Sequence, residues 1–391
     1  LSLTGSVWSL TVPAYERRSA GDGTTNPALQ FLLRPLSGIT SFQGRLVMLA
    51  GDYVCMSAAN KPERWYRSTM ASLEADDPIE VAASSTLATP YRHGVQFNQD
   101  LVLFSEKYQA TIPGRAAITP ASATISISST YTNDPSVRPT PVGMSLYFAA
   151  PRAAGWAAVW EMTPSPYNEN QLSAQDVTGH IPQYIRSDVR FMAASSTTNI
   201  LVVGDSQDLT SLVIHEYLWT GAEKVHHSWH RWKFEHPVHF VYFDGDVLYC
   251  VCQAPNSRWM SIRVDIRQGA GDAGLTAGRL DYYWEGVVDS SGYLLVPNPI
   301  PQLWAKSEDP AVVMQNKPWA FHLDGQYAGV REVLEPVEVV PNVGTRYRVA
   351  APAGVKMRAG IRYTSKVTPS APVVRDQNDV PITTKRAQGQ S

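Results

Sequence analysis

Five of the nine histidines fall in one short stretch, His226, His227, His230, His236 and His239, and histidines gathered this way are first read as metal ligands. Their spacing argues against it. On a strand His226 and His230 face one way and His227 the other, and Pro237 interrupts the ladder before His239. No glutamate completes an H-E-x-x-H pair, and no cysteine stands at finger spacing. The expected use is at the surface or in packing among Trp229, Trp232 and Phe234, and no metal is expected.

Asp76 and Asp77, followed by Pro78, could supply half of the carboxylate pair that hydrolyses a glycosidic bond, a reaction that needs two acids held apart across a sugar. Adjacent residues do not face each other, so a turn is the expected structure, with Asp offering its side chain to the backbone and Pro fixing φ. Cys250 and Cys252 would lie on one face of a strand. A single C-x-C beside the lone Cys55 makes a weak metal or disulfide signal, so all three are expected as reduced core residues. The chain has no nucleophile elbow, phosphate-binding loop or dinucleotide fingerprint. Its 11 Trp and 18 Tyr sit mostly in strand-like runs such as Trp156–Trp160, where sheet packing is the expected role. Neither catalysis nor a cofactor is expected.

The whole-chain charge limits the partners. Against 33 basic residues stand 35 acidic ones, a net of −2, so the footprint of a nucleic-acid binder is missing and any DNA contact is expected to be local and transient. No apolar run reaches the length of a membrane-spanning helix. The chain begins at Leu1, without an initiator Met or a leader pattern, and is expected to be a piece of a longer protein.

What must position these residues is strands. Charged residues make up only 17%, and 28 Pro and 26 Gly are scattered along the whole length, as in short strands joined by turns. A turn followed by an apolar strand recurs five times. Aligned on Leu46, Leu101, Leu146, Leu201 and Val247, the copies step by 55, 45, 55 and 46 residues. Such a period, a few strands per unit, marks propeller blades, because one small sheet cannot bury both faces until neighbours stack on it. The expected fold class is all-β, a β-propeller core with further β-rich segments at both ends. The expected parts are residues 1–36, the remnant of a preceding β-rich domain; 37–333, the propeller; and 334–391, a further β domain with an extended polar tail from Thr368.

Several runs then become familiar. Gln43–Asp52, Asp76-Asp77-Pro78-Ile79 with the residues to Ser84, Gln99–Ser105, Leu146–Arg152, His180-Ile-Pro-Gln-Tyr-Ile185 and Ser228-Trp-His-Arg-Trp-Lys-Phe234 resemble, in the same order, the tail tubular protein B or nozzle family of T7-like short-tailed bacteriophages. Residues 164–170 and the C-terminal third depart from its pattern. The resemblance implies a structural virion component, assembled in the host cytoplasm. It implies a hexameric ring that meets the adaptor (tail tubular protein A), carries tail fibres and conducts double-stranded DNA during ejection. It carries no catalytic residue. It transfers structural roles only, to Asp76, Asp77, Pro78 and Ile79, to His180, Pro182 and Tyr184, and to Ser228, Trp229, Trp232 and Phe234. The rival reading is a carbohydrate-binding or glycoside-hydrolysing propeller acting on the bacterial surface, which would gather acids and aromatics in one pocket.

Overall fold

The computed structural model describes residues 2–366 apart from residues 6, 13, 83–88, 154, 166–170, 221–222, 267–279, 325 and 327. The tail expected to run extended from Thr368 lies outside the described residues. The chain divides into two compact units, Leu1–Ala270 and Gly271–Ser391.

The first unit opens with a small hairpin, β1 (Ser2–Thr4) and β2 (Val7–Ser9). Antiparallel sheets follow in chain order. The first holds β3 (Gly38–Phe42), β4 (Arg45–Ala50), β5 (Tyr53–Met56) and β6 (Ile79–Ala82). The second holds β7 (His93–Phe97), β8 (Asp100–Phe104), β9 (Gln109–Ile112) and β10 (Ser126–Ser129). The third holds β11 (Thr140–Val142), β12 (Ser145–Arg152), β13 (Trp156–Pro164) and β14 (Leu172–Asp176), with β15 (Ile185–Arg186) paired to the start of β13. The fourth holds β16 (Val189–Ser195), β17 (Ile200–Asp205), β18 (Ser211–Thr220) and β19 (Glu223–Lys233). The fifth holds β20 (Val238–Asp244), β21 (Val247–Gln253) and β22 (Trp259–Asp265).

Each sheet is a meander, and the first strands β3, β7, β11, β16 and β20 neighbour one another in that order. That is the arrangement of propeller blades. The five aligned positions all fall on the second strand of a blade, β4, β8, β12, β17 and β21. The turn ahead of each carries left-handed backbone, at Gln43 and Gly44 (φ 45° and 71°), Asn98 and Gln99 (48° and 72°), Gly143 (56°), Asn199 (54°) and Gly245 (58°). Positive φ at the centre of a two-residue turn matches the twist of the strands it joins, which explains the left-handed residues of four of the repeats; in the fourth blade the turn runs over residues 196–199 and Asn199 closes it.

The second strands read as continuous apolar runs because both faces are buried. Leu101 and Leu103 of β8 pack on the first blade with Val47, Leu49 and Ile79. Val102 and Phe104 point the other way, against Leu146 and Phe148 of the third. The third and fourth blades meet through Tyr147, Val159, Leu201 and Val213, and the fourth and fifth through Val202, Ile214, Leu248, Cys250 and Cys252. The two ends differ. Phe31, in the 3-10 turn Gln30–Leu32, packs on Trp65 with ring centroids 4.4 Å apart and the planes tilted by 52°, and covers Met48 and Cys55 on the outer face of the first blade. The corresponding face of the fifth blade leaves Phe240, Tyr242 and Trp259 exposed.

The second unit holds β23 (Asp281–Val287), β24 (Tyr293–Pro297), the short helices α1 (Ile300–Ala305) and α2 (Pro310–Val313), β25 (Trp319–His322), β26 (Arg331–Val333), β27 (Glu335–Val340), β28 (Gly344–Arg348) and β29 (Lys356–Ile361). Two sheets, β23-β29-β25-β26 and β24-β28-β27, share one core around Leu294, Trp304, Ala320, Leu334, Tyr347 and Met357.

The two compact units part at 270/271, whereas the sequence pattern changes at 333/334. Described blade strands end at Asp265, not 333. Both sheets of the second unit pair strands from before residue 334 with strands from after it, so the limit expected at 333/334 runs through them; the local change at Leu334-Glu-Pro carried no sign of this long-range pairing. Residues 16–36 are bound to the first blade by Leu29 and Phe31 and by Glu16 N donating to Glu63 O at 3.0 Å.

Candidate functional site

The Asp76–Ile79 turn forms one half of a buried polar hub. Its centre is Arg45, first residue of β4 and 2% exposed. The guanidinium donates to the carbonyls of Ser57 (2.8 Å), Asp77 (2.7 Å) and Ala75 (2.9 Å). Burial pulls its pKa below the ordinary arginine range; Asp76 and Asp77 oppose that pull, and Arg64 adds to it. Asp77, fully buried, accepts from Glu74 N at 3.1 Å and Ser68 N at 3.2 Å, while Asp76 pairs with Arg64 at 2.7 Å. Pro78 is buried beside it and Ile79 enters the core shared with the second blade. In the preceding turn, Gln43 donates to Gly114 O (2.7 Å) and Ala116 O (3.0 Å) and accepts from Ile118 N (2.8 Å), tying the first blade to the second. The hub closes a loop and presents no open carboxylate pair for hydrolysis.

The other two groups of motif residues meet at the junction of the third and fourth blades. The outer edge of the third blade is split between β14 and β15, and the chain between them folds into a turn around Thr178. The Thr178 amide and hydroxyl both donate to Asp176, at 2.8 and 2.7 Å, and the hydroxyl accepts from Val159 N at 3.1 Å. His180, Pro182 and Tyr184 follow on this turn, the first two exposed. Strand β19 of the fourth blade packs against it. Trp229 Nε1 donates to Val177 O at 3.1 Å, Arg231 to Tyr184 O at 2.6 Å, and the His180 and His227 rings lie 5.5 Å apart. Trp232 and Phe234 pack instead on the core shared with the fifth blade, while Ser228 stands opposite Glu216 of β18. One strand thus serves two neighbours.

Deeper in the same junction lies a network that sequence reasoning missed. Glu161 of β13 accepts from Ser145 Oγ at 2.7 Å and Tyr147 OH at 2.8 Å and pairs with Lys224 of β19. The Lys224 ammonium also sits over the rings of Trp219 (4.9 Å), Tyr217 (5.4 Å) and Tyr147 (5.9 Å), so the cation is held by a carboxylate and by ring quadrupoles together. Beside it His215, fully buried, stacks on Trp229 at 4.4 Å, with neither ring nitrogen hydrogen-bonded. Burial lowers its pKa to about 3, with Lys224, His227 and His180 pushing the same way. Glu161 and Lys224 lie 63 residues apart, so no spacing rule links them. Arg45, a charge opening the apolar run Leu46–Ala50, was the one readable signal.

The remaining histidines scatter. His230 approaches Glu216 at 3.8 Å, His236 is buried, and His239 meets Trp259 at 4.9 Å. Among the described residues no three His, Cys, Asp or Glu gather as metal ligands. A cleft of about 630 Å³ opens at the junction, lined by Trp156, Gln183, Tyr184, Arg186, Gln207, Asp208 and Arg231. It holds one carboxylate, where paired-acid glycoside hydrolysis needs two.

A model of the family described as bacteriophage nozzle protein matches residues 4–390. The chain belongs to that family. The nozzle-family chain is 27% identical over 217 residues to tail tubular protein gp12 of Escherichia phage T7, an alignment covering 56% of this chain and 27% of that relative. It spans well under half of that relative's length. Among solved structures it is similar to Kluyveromyces lactis Hsv2, over 60% of this chain and 76% of that one at 9% identity and TM-score 0.31. The WD40 domain of SCAP from fission yeast is similar over 65% and 55%, at 11% identity and TM-score 0.35. At such TM-scores these likenesses add nothing to the fold read from the sheets. The nozzle-family chain is a structural component of a bacteriophage tail and so of the virion.

Proposed function

We propose that this chain is one subunit of a homohexameric tail nozzle, a ring that continues the DNA conduit below the portal. It would meet the adaptor (tail tubular protein A) on one side, offer blade rims and loops to tail fibres, and be assembled in the host cytoplasm before joining the particle. The observation that carries this reading is the family match over residues 4–390. The five-blade array supports it physically, because blades locked by shared cores and by the Arg45 and Lys224 networks make a stiff wall element. The charge balance supports it as well. Every phosphate neutralised adds affinity and slows a passing duplex, and a chain with 33 basic and 35 acidic residues has no surplus of cations with which to grip one.

Electron microscopy of the particle and of the purified chain tests the proposal. The expected result is a six-fold ring coaxial with one capsid vertex. A chain that stays monomeric at every concentration, with no density of its fold at the tail, refutes it.

A further inference from the structure

The cleft between the third and fourth blades carries two guanidiniums, Arg186 and Arg231, that among the described residues stand in no ion pair. Arg186 lies directly opposite Trp156 in the β13–β15 pairing, and its guanidinium carbon stands 5.1 Å from the Trp156 ring centroid. Arg231 stands 5.1 Å from the Tyr184 ring centroid and donates one hydrogen bond to the Tyr184 carbonyl. Both arginines are exposed, and among the described residues neither has an ion pair. Asp208, the one carboxylate of the cleft, is committed to its own turn. It accepts from Thr210 N (3.1 Å), Thr210 Oγ1 (2.8 Å) and Ser211 Oγ (2.6 Å). The Gln207 amide is likewise engaged, donating to Asp188 at 2.9 Å.

A guanidinium laid on an aromatic ring is fixed in orientation while its in-plane N–H groups stay free for a bidentate acceptor. The walls are rigid, since β15 pairs with β13, and Asp205 accepts from Gln207 N and Asp208 N at 2.9 Å each. We infer that this cleft is a docking site for an acidic peptide segment of a partner protein, its Asp or Glu carboxylates received by Arg186 and Arg231.

Three observations favour this occupant. The lining is polar, two guanidiniums, a carboxylate and two amides around two rings, unlike the mostly apolar pockets that hold small molecules. One face of each ring is taken by a cation of the chain itself, which disfavours sugar stacking. Two fixed cations match a pair of side-chain carboxylates, whereas non-specific duplex binding draws on a longer stripe of positive charge.

The test is titration of the full chain with dye-labelled acetyl-hexaglutamate in low salt, read by fluorescence anisotropy. Saturable binding is expected, weakened at least tenfold in R186Q/R231Q and left unchanged by R263Q, an exposed arginine on the fifth blade. R186Q alone, which breaks no hydrogen bond of the fold, is expected to weaken binding severalfold and guards against a displaced Tyr184 turn. An uncharged Gly-Ser hexapeptide should not bind. Absence of saturable hexaglutamate binding, or equal affinity in the double variant, overturns the inference. So does tighter binding, lost in the double variant, of an oligogalacturonate, which would make the ligand an acidic glycan, or of a short duplex DNA. The nozzle proposal stands or fails separately, since none of these measurements depends on ring formation.

Discussion

Replacing Arg45 by methionine removes the centre of the first blade's hub while keeping most of the side-chain volume. The buried Ser57 and Asp77 carbonyls, at 2.8 and 2.7 Å, then lose a charged donor in a place water does not reach, while the more exposed Ala75 carbonyl can turn to solvent. Each buried acceptor left unsatisfied costs about 1–3 kcal/mol. Asp77 keeps its bonds from Glu74 N and Ser68 N, and Asp76 keeps Arg64, so the carboxylates are not stranded. Shared partners make the losses less than additive, and the expected total is about 3–5 kcal/mol, the range seen when one member of a buried ionic network is deleted. In urea this is a fall of about 1–2 M in the unfolding midpoint. Arg45→Lys keeps the charge with three donors on a compact head and should fall between. Equilibrium unfolding of the full chain gives the magnitude, and amide exchange places it: protection should drop at Ser57, Ala58 and Asp77 before the fourth and fifth blades change. A methionine variant within about 1 kcal/mol of the parent, with exchange unaltered in the first blade, would refute the view that these carbonyls depend on the guanidinium.

His215 should make stability pH-dependent. Its folded pKa of about 3 lies below the ordinary value of 6.5, so between those values the unfolded chain binds the proton and the folded one does not. Stability from this group is complete above pH 6.5 and falls by up to about 1.4 kcal/mol per unit as pH drops towards 3; His215→Phe should flatten that slope in melts across pH 4–7. Lys224→Met, which strands the Glu161 carboxylate, should cost about 3 kcal/mol, and adding Glu161→Gln should recover much of it, as a double-mutant cycle would read. Burial pushes the Cys55, Cys250 and Cys252 thiols up to about 12, so a thiol reagent at pH 8 should label none in the native chain and all three in denaturant.

The all-β class, the blade period and the turn at Asp76-Asp77-Pro78 were legible in the sequence because each is local. A two-residue turn and an apolar second strand sit within about ten positions, and hydrogen bonding inside one blade fixes them. The fifth blade was readable from Phe243-Asp-Gly-Asp ahead of Val247 for the same reason. The second unit was not, because its strands pair out of chain order, β25 with β29 and β24 with β28, and no spacing encodes such partners. The motif residues separated likewise. Tyr184 and Trp229 belong to one junction although 45 positions divide them, and the Arg186 and Arg231 cleft exists only because two blades meet there. Only the register of β13 with β15 brings Trp156 to Arg186.

The unequal ends of the blade series give it an order in time. Every blade is a local meander, and each core cluster joins one blade only to the next. A chain leaving the ribosome N-terminus first therefore has its first blade already backed by Phe31 when the second emerges. Every later blade meets a finished apolar face on arrival, so the search for partners stays short, as in repeat proteins that propagate from one nucleus. Among the described residues, the exposed rings of Phe240, Tyr242 and Trp259 stand on the last blade of that relay.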